Sequence, residues 1–324
     1  MKKILRILGI LLATVILVAI AGIIYIKTAL PNVGEAPEIS IEKTPERIER
    51  GKYLANHVTI CMDCHSSRDW NLYAAPLMEG NFGGGGEVFG RELGFPGVYY
   101  ARNITPYGIG QWSDGEVFRA ITTGVSRDGS PLFSVMPYHG YGQLDQEDIY
   151  SIISYLRTLQ PVKHDIPAPE KDFPVNILIN TMPSKANLQP KPAETDVLNS
   201  GKYLVLAGGC VECHSMREKG SIVAGTEFGG GMEFAFPSGL VRSANITPDK
   251  KTGIGLWSED AFVKRFKMYA DSAYVAHKVG LKEMNTTMPW MMYADMKEND
   301  LKSIFTYLQS LAPISHDVVK FEPR

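Results

Sequence analysis

The four cysteines of this chain occur as two pairs, and a histidine directly follows each pair in the form Cys-x-x-Cys-His. Two thiols about one helical turn apart can form thioether bonds to two vinyl groups of one porphyrin, and the histidine then lies over the iron as an axial ligand. The spacing therefore predicts two covalently bound haem c groups. The predicted haem-binding residues are Cys61, Cys64 and His65 in the first haem motif, and Cys210, Cys213 and His214 in the second.

Cysteine pairs also occur in structural zinc sites, in disulfides and in thioredoxin-like redox centres. A structural zinc ion needs four ligands at one place, whereas these two pairs lie far apart in the chain. A disulfide or a redox pair does not require a histidine after each pair. Haem attachment explains all four cysteines and both histidines.

The haem motifs belong to a repeat that runs through most of the chain, with the same landmarks in the same order. A repeat this long indicates a duplicated domain and not a short solenoid unit. It predicts a first copy at residues 44–166 and a second copy at residues 195–324, with a proline-rich linker at 167–194. The other landmarks are "GKYL" at Gly51 and Gly201, "NITP" at Asn103 and Asn245, "GIG-x-WS" around Trp112 and Trp257, Met-Pro at Met136 and Met288, and His-Asp at His164 and His316.

Helical periodicity predicts that both copies are mainly α-helical. The apolar positions of "DIYSIISYLRTL" recur at the same offsets in residues 301–311, and "SDGEVFRAI" opens with a Ser-x-x-Glu capping box. Gly51 and Gly201 fall within the first predicted helix of each copy, where glycine lowers stability. Close contact with the last helix, at Tyr155 and Tyr307, would explain them.

Methionine is the usual sixth ligand in electron-transfer haems, and it raises the reduction potential. Among the methionines, Met136 and Met288 occupy matching positions in the two copies, so they are the predicted ligands, with Met291 and Met292 as nearby alternatives in the second copy. The predicted iron ligands are therefore His65 and Met136 for one haem, and His214 and Met288 for the other.

His164 and His316 also recur, which leaves bis-histidine ligation as an alternative. Because they follow the last helix of each copy, we favour a structural role in which they satisfy helix carbonyls.

Polar residues of the repeated "NITP…W" segment are candidates for contact with the haem propionates, which are anions that need hydrogen-bond donors. The alternative is an ordinary turn closed by proline. The candidates are Asn103, Thr105 and Trp112 in the first copy, and Asn245, Thr247 and Trp257 in the second.

The N-terminus contains an uncharged apolar stretch at residues 7–26, long enough to span a bilayer core of about 30 Å. Three cations precede it, so the positive-inside rule predicts a single-pass anchor at residues 1–30, with a linker at 31–43 and the body on the periplasmic side of the cytoplasmic membrane. A cleaved signal peptide is the competing reading, because residues 19–21 read Ala-Ile-Ala. The formal net charge of −2 argues against nucleic acid as a partner.

Several segments together resemble bacterial class I cytochromes c, and in particular the cytochrome subunits of membrane-bound alcohol, aldehyde or gluconate dehydrogenases. They are "CMDCH", "CVECH", "NITPYGIGQWSDGEVFRAITTGVSRDGSPLFSVMPY" and "NITPDKKTGIGLWSEDAFVKRF" with "TMPW", within residues 45–316. The resemblance implies two tandem cytochrome c domains, each a small helical bundle around one haem, with His/Met ligation and electron relay towards quinone or another cytochrome. Many such subunits carry three haems, whereas this chain has two haem motifs.

We therefore expect a membrane-anchored dihaem cytochrome c that transfers electrons between a periplasmic or membrane dehydrogenase and the respiratory chain. Its expected partners are redox proteins: a dehydrogenase, a quinone-linked complex, an oxidase or another cytochrome. The alternative is a dihaem enzyme, such as a peroxidase or an oxidant of small sulfur compounds, in which one iron can open to substrate. An electron-transfer protein or subunit is favoured over a stand-alone enzyme, and no residue is assigned a catalytic role.

Overall fold

A computed structural model describes residues 1–218 and 220–324 and shows a mainly helical chain. The helices are α1 (Lys2–Ala29), α2 (Pro45–Tyr53), α3 (Cys61–Cys64), α4 (Pro106–Ile109), α5 (Asp114–Thr123), α6 (Tyr138–Tyr141), α7 (Gln146–Leu156), α8 (Val175–Leu178), α9 (Val197–Ala207), α10 (Cys210–Cys213), α11 (Glu259–Lys267), α12 (Trp290–Tyr293) and α13 (Glu298–Gln309). The strands are β1 (Val88–Phe89), β2 (Gly97–Tyr100), β3 (Glu170–Lys171), β4 (Arg217–Glu218), β5 (Ser221–Ile222), β6 (Glu233–Phe236), β7 (Gly239–Arg242) and β8 (Phe321–Pro323).

The strands are short, and all of them pair antiparallel. One sheet has the order β1-β2-β3 and another the order β6-β7-β8, while β4 and β5 pair with each other. Gly97 lies opposite Lys171 in the first of these sheets, and Gly239 lies opposite Pro323 in the second. In both three-stranded sheets the last strand comes from the segment that follows the last long helix of its copy. That segment is therefore held against the loop that precedes the "NITP" landmark.

The first and last helices of each copy pack closely together, α2 against α7 and α9 against α13. A Cβ atom on Gly51 would lie 1.8 Å from the carbonyl oxygen of Ser151, and one on Gly201 would lie 1.9 Å from that of Ser303. Each would also lie 2.9 Å from the Cβ of the tyrosine predicted as a neighbour, Tyr155 or Tyr307. The predicted close approach is confirmed, and it explains why glycine occurs within α2 and α9.

Several helices begin at residues whose side chains cap the helix N-terminus. Thr44 accepts a hydrogen bond from the Arg47 amide at the start of α2, and the capping box of Ser113 and Glu116 is complete at α5. In the second copy the side chain of Asp196 caps α9. Apolar residues of α7 and α13 at helical spacing are buried and form the centre of the core: Ile149, Ile152, Ile153 and Leu156, with Leu301, Ile304, Phe305 and Leu308.

The segment predicted as a linker without regular structure, residues 167–194, contains β3, α8 and a 3₁₀ turn at Ile179–Thr181. It packs against α1, and the Asn180 side chain donates a hydrogen bond of 2.8 Å to the carbonyl of Leu30. Within the described residues, α1 is the one helix long and apolar enough to cross a membrane, and none of its residues is buried. By length and composition it fits either a membrane anchor or a signal sequence.

Matching tyrosine–aspartate pairs join the two copies. The Tyr53 hydroxyl of α2 donates to Asp300 of α13 at 2.5 Å, and the Tyr203 hydroxyl of α9 donates to Asp148 of α7 at 2.7 Å. Each pair consists of one residue from each copy, at equivalent positions of the repeat. The contact between the copies therefore has approximate two-fold symmetry.

Candidate functional site

Each Cys-x-x-Cys segment forms one turn of helix, preceded by a residue in the left-handed conformation. Ile60 has a φ of 45° before α3, and Gly209 has a φ of 61° before α10. A β-branched residue with positive φ is strained, so the surrounding fold imposes this geometry at Ile60. The turn allows the chain to leave the preceding helix sharply and carry both thiols onto the wall of one cavity.

The histidine of each motif is oriented by a hydrogen bond at one ring nitrogen. His65 Nδ1 lies 2.6 Å from the carbonyl oxygen of Arg102, and His214 Nδ1 lies 2.7 Å from that of Ala244. A carbonyl only accepts, so Nδ1 carries the hydrogen, and Nε2 keeps its lone pair for a metal. Burial lowers the pKa of both histidines, which favours the neutral form that binds iron.

One continuous cavity of about 2710 Å³ is lined by both haem motifs. A single-ligand pocket typically measures roughly 300–1,000 Å³, so this cavity has room for two large groups. All four cysteines and both motif histidines are on its wall, together with many apolar side chains. Thiols in pairs, a metal-binding imidazole after each pair and apolar walls fit the chemistry of a covalently held porphyrin.

Met136 and Met288 both line this cavity, in the loops that precede α6 and α12. The alternatives Met291 and Met292 lie within α12 and are not on the cavity wall. The carbonyl of Met292 instead lies 2.9 Å from Nδ1 of His57 in the first copy. The placement therefore favours Met288 over its two neighbours.

The asparagine and threonine of "NITP" form an internal network. Asn103 Nδ2 donates to the carbonyls of Val162 and His164, and its Oδ1 accepts from both the amide and the hydroxyl of Thr105. Both amide hydrogens of Asn103 are thus already used and are not free to bind a propionate. Thr105 is completely buried and is not on the cavity wall.

The second copy repeats this network. Asn245 Nδ2 donates to the carbonyl of Ile314 and to Thr252, and Oδ1 accepts from Thr247. The cavity is lined by the two asparagines as well as by Trp112 and Trp257, but the side-chain donors of both asparagines are already used within the protein. The geometry leaves the tryptophans as candidates for haem contact, and it gives the asparagines and threonines a loop-fixing role that the sequence did not reveal.

His164 and His316 hold glycine-rich loops. His164 Nδ1 lies 3.1 Å from the Gly84 carbonyl oxygen, and His316 Nδ1 lies 2.9 Å from that of Gly229. These contacts match the expected structural role, although the acceptor belongs to a loop and not to a helix end.

The loop that meets each of these histidines also contacts a haem motif. The amide of Gly85 donates to the His65 carbonyl, and the amide of Gly230 donates to the His214 carbonyl, both at 2.9 Å. Both glycines have positive φ, and a Cβ atom on either would clash with backbone 2.5–2.6 Å away. The recurrence of "FGGG" at residues 82 and 228 was the available signal for this shared element.

A buried charged cluster lies beside the first haem motif and was not identified from the sequence. Arg68, with its side chain 7% exposed, bonds Asp63 and Glu87 at 2.8 Å each, and its guanidinium lies 4.3 Å from the ring centre of Trp70. Burial raises the pKa of Asp63 to about 6, although Arg68 opposes this shift. At the same offset in the second copy, Glu212 pairs with Arg217 in a more exposed setting.

This combination of paired cysteines, oriented histidines and a large apolar cavity is typical of c-type cytochromes, and comparison with known proteins agrees. The chain is 26% identical over 85% of its length to an alcohol dehydrogenase (quinone) cytochrome c subunit from Gluconacetobacter polyoxogenes. It is 28% identical over 82% of its length to a gluconate 2-dehydrogenase cytochrome c subunit from Pantoea cypripedii. A diheme cytochrome c-type protein from Cereibacter sphaeroides is 28% identical over 59% of the chain.

The chain spans 59% of the length of the two dehydrogenase subunits and 64% of that of the diheme protein. No family model matches the chain. The resemblance to cytochrome c subunits of dehydrogenases, predicted from the motifs, is confirmed by these relatives. It implies covalently bound haem c and electron transfer.

Proposed function

We propose that this protein is a membrane-anchored dihaem cytochrome c that passes electrons between a dehydrogenase and the respiratory chain. One haem is bound by Cys61, Cys64 and His65, and the other by the matching residues of the second haem motif. Met136 and Met288 are the sixth ligands. The two copies are tandem cytochrome c domains, each of which encloses one haem.

The observation that carries this proposal is the placement of both haem motifs and both repeated methionines on the wall of one cavity. Residues from distant parts of each copy meet there, in the combination that His/Met ligation needs. Zinc does not explain the arrangement, because no group of three or more His, Cys, Asp or Glu suited to a metal ion occurs among the described residues.

Haem c supplies a one-electron iron couple when it is bound. The protein orients the imidazole of each motif through its Nδ1 hydrogen bond, and Met136 or Met288 would supply a sulfur as the second protein ligand of each haem iron. With two protein ligands on each iron, substrate would have no open site. This arrangement favours electron transfer over the enzymatic alternative.

The shared cavity supports a short relay within one molecule. Tyr141 donates to the carbonyl of Thr59 beside the first haem motif, and Tyr293 donates to that of Gly208 beside the second. These buried tyrosines lie at equivalent positions and bring α6 and α12 against the two motifs. A relay between two haems held by one chain would need no second protein encounter.

Two further observations support the proposed partner and the proposed location. The relatives are named as cytochrome subunits of alcohol and gluconate dehydrogenases, so a dehydrogenase is the proposed electron donor. Helix α1 has a mean hydropathy of 3.0 in its most apolar window, which suits a retained anchor in the cytoplasmic membrane. The body would then lie on the periplasmic side.

The test is the mass and spectrum of the purified, denatured chain. We expect a mass that exceeds the polypeptide by two haem groups, and a pyridine haemochrome that counts two haem c per chain. Two single variants, Cys64→Ser and Cys213→Ser, should each weaken the attachment of one haem. A denatured mass equal to the bare polypeptide would overturn the proposal, and a high-spin, five-coordinate haem in the native protein would favour the dihaem enzyme.

A further inference from the structure

An insertion in the second copy, residues 269–285, lies on the loop that follows the first haem motif. The amide of Val279 donates to the carbonyl of Asn71, and the amide of Tyr73 donates to the carbonyl of His277, both at 2.9 Å. The rings of Tyr73 and His277 stack with their centres 5.1 Å apart. The two copies are therefore joined at a second place, away from the helix contact.

Asn285 is the last residue of this insertion, and its side chain makes three hydrogen bonds to the first copy. Its Nδ2 donates to the carbonyl oxygens of Trp70 at 3.0 Å and Leu72 at 3.3 Å, and its Oδ1 accepts from the Ala74 amide at 3.0 Å. The residue is 3% exposed. Ala74 has a φ of 60°, so the loop it contacts is itself held in an unusual conformation.

Further hydrogen bonds connect the Asn285 side chain to Met288. Asn285 Oδ1 also accepts from the amide of Thr286 at 2.8 Å, and the Thr286 hydroxyl accepts from the amide of Met288 at 3.0 Å. A run of hydrogen bonds thus connects the backbone of the first copy to the backbone of the proposed iron ligand in the second.

We propose that Asn285 and Thr286 are positioning residues that hold Met288 in place by fastening its loop to the first copy. This inference rests on the proposed function, because it assumes that Met288 binds iron. The ligand of one haem would then depend on contact with the domain of the other haem.

The first copy shows a different arrangement. Phe133 precedes Met136 by three residues, as Asn285 precedes Met288, and its ring stacks on that of Tyr99 with the centres 4.2 Å apart. The Met136 loop is therefore held by an apolar contact within its own copy. Loss of Asn285 should affect only the haem of the second copy.

The expected effect follows from the hydrogen bonds that are lost. Removing the Asn285 side chain takes one hydrogen bond each from the half-buried carbonyls of Trp70 and Leu72 and from the buried amides of Ala74 and Thr286. The Leu72 carbonyl still accepts from the Ala75 amide, so most of the cost comes from the other three groups. The Met288 loop should open more often, so an external ligand should displace the methionine more easily. We expect about a tenfold gain in affinity for such a ligand at one haem.

The experiment uses the full-length ferric holoprotein in detergent, with imidazole as the probe. Met136→Ala and Met288→Ala first assign the two methionine methyl signals in NMR spectra of the reduced protein. Asn285→Ala should then raise imidazole affinity about tenfold at the haem that Met288 serves, and leave the other haem unchanged. Thr286→Val, a milder change that removes only the acceptor for the Met288 amide, should raise it roughly threefold.

Asn71→Ala is the matched control, because Asn71 is exposed and its side chain bonds only to Asp69, while its carbonyl still accepts from Val279. Equal imidazole affinities in Asn285→Ala, Thr286→Val and this control would overturn the inference, as would an equal rise at both haems. If Asn285→Ala does not fold, Thr286→Val decides alone. If Met288→Ala keeps both methyl signals, the ligand assignment fails first, and the inference fails with it.

Discussion

The two ring nitrogens of His65 have separate tasks in the proposed haem site. Nδ1 donates to the carbonyl of Arg102, which leaves Nε2 for the iron. Arg102 directly precedes Asn103, whose side chain is bonded to the segment that follows α7. The second copy has the same order of contacts. In both copies the "NITP" landmark thus fixes the segment whose carbonyl orients the histidine of the haem motif.

Replacing either proposed methionine ligand should affect one haem only. Met136→Ala and Met288→Ala remove a sulfur ligand that raises the reduction potential, so each variant should lower one of the two midpoint potentials and let cyanide bind at that haem. Redox titration followed by visible absorption measures both midpoints. Met291→Ala serves as the control, since Met291 is not on the cavity wall, and it should leave both midpoints unchanged. Two unchanged midpoints in Met136→Ala or in Met288→Ala would reject that ligand.

The charged pairs beside the two haem motifs should differ in their contribution to stability. Arg68→Met leaves Asp63 and Glu87 buried without a cation, which should lower the free energy of unfolding by about 3 kcal/mol or more. Arg217→Met removes the more exposed counterpart, whose side chain is 25% exposed, and should cost about 1 kcal/mol at most. Guanidinium denaturation of both variants measures the difference. Equal losses in the two variants would show that burial of the Arg68 ion pairs does not increase their contribution to the free energy of unfolding.

At the scale of elements, the contact between α2 and α7 depends on the absence of one side chain. Gly51→Ala would place a Cβ atom 1.8 Å from a backbone oxygen of α7, so the helices must separate, and we expect a loss of about 3 kcal/mol in the free energy of unfolding. Lys52→Ala, at an exposed position of the same helix, is the control and should change stability by less than about 0.5 kcal/mol. Thermal unfolding followed by circular dichroism separates them. A stable Gly51→Ala protein would mean that α2 and α7 are less tightly packed than the structure shows.

Patterns of short range predicted these elements well. The apolar spacing of α7 and α13 and the capping box at Ser113 depend on neighbours within a few turns of helix, so the sequence alone was sufficient. The contact of Gly51 with Tyr155 joins distant residues, and it was predicted because both recur in the second copy. Local periodicity missed β3 because two residues are too few to show an alternation. Strand β3 forms where the chain passes alongside β2 after α7, and local sequence does not show that pairing.

The sequence predicted those parts of the candidate site in which the chemistry requires a particular residue type. It did not predict hydrogen bonds and ion pairs between residues that lie far apart in the chain. The Cys-x-x-Cys-His motifs and the repeated methionines can be recognised from residue type and from position in the repeat. The Asn103 amide could bind either a propionate or a backbone carbonyl, and only the fold shows that Val162 and His164 are its partners. The Arg68 cluster was missed for the same reason, since Glu87 joins it from a separate loop.

At the scale of the whole molecule, several sets of contacts hold the two copies together. The tyrosine–aspartate pairs join the first and last helices, His57 contacts the loop end at Met292, and the insertion of the second copy lies on the first. Asp148 is buried and also bonds Arg50 at 2.8 Å, so Tyr203 completes a network that includes both copies. Such an interface holds the two Cys-x-x-Cys-His motifs at one separation, and a fixed separation would suit the proposed relay between haems.

The position of the body on the membrane depends on whether α1 is retained. A helix of 28 residues is about 42 Å long, which exceeds a bilayer core of about 30 Å. Cleavage after residues 19–21 would remove most of α1, but it would leave the partly buried Ile26 and the hydrogen bond from Asn180 to the Leu30 carbonyl in place. The apolar run continues past residue 21 to Ile26, and signal-peptide apolar regions are usually shorter, so we expect that the anchor remains and holds the first copy near the bilayer surface.

We therefore expect the native protein to resist extraction from membranes by alkaline carbonate, and its mass to include residues 1–30. A variant in which a cleavable signal peptide replaces those residues should be released as a soluble protein that still carries both haems, because no other described helix is long and apolar enough to span the bilayer. External protease should digest the body in spheroplasts if it faces the periplasm. A native chain that begins after residue 21 and is freely soluble would show instead that α1 is a signal sequence, and diffusion would then replace the membrane surface as the route by which the two haem domains meet their partners.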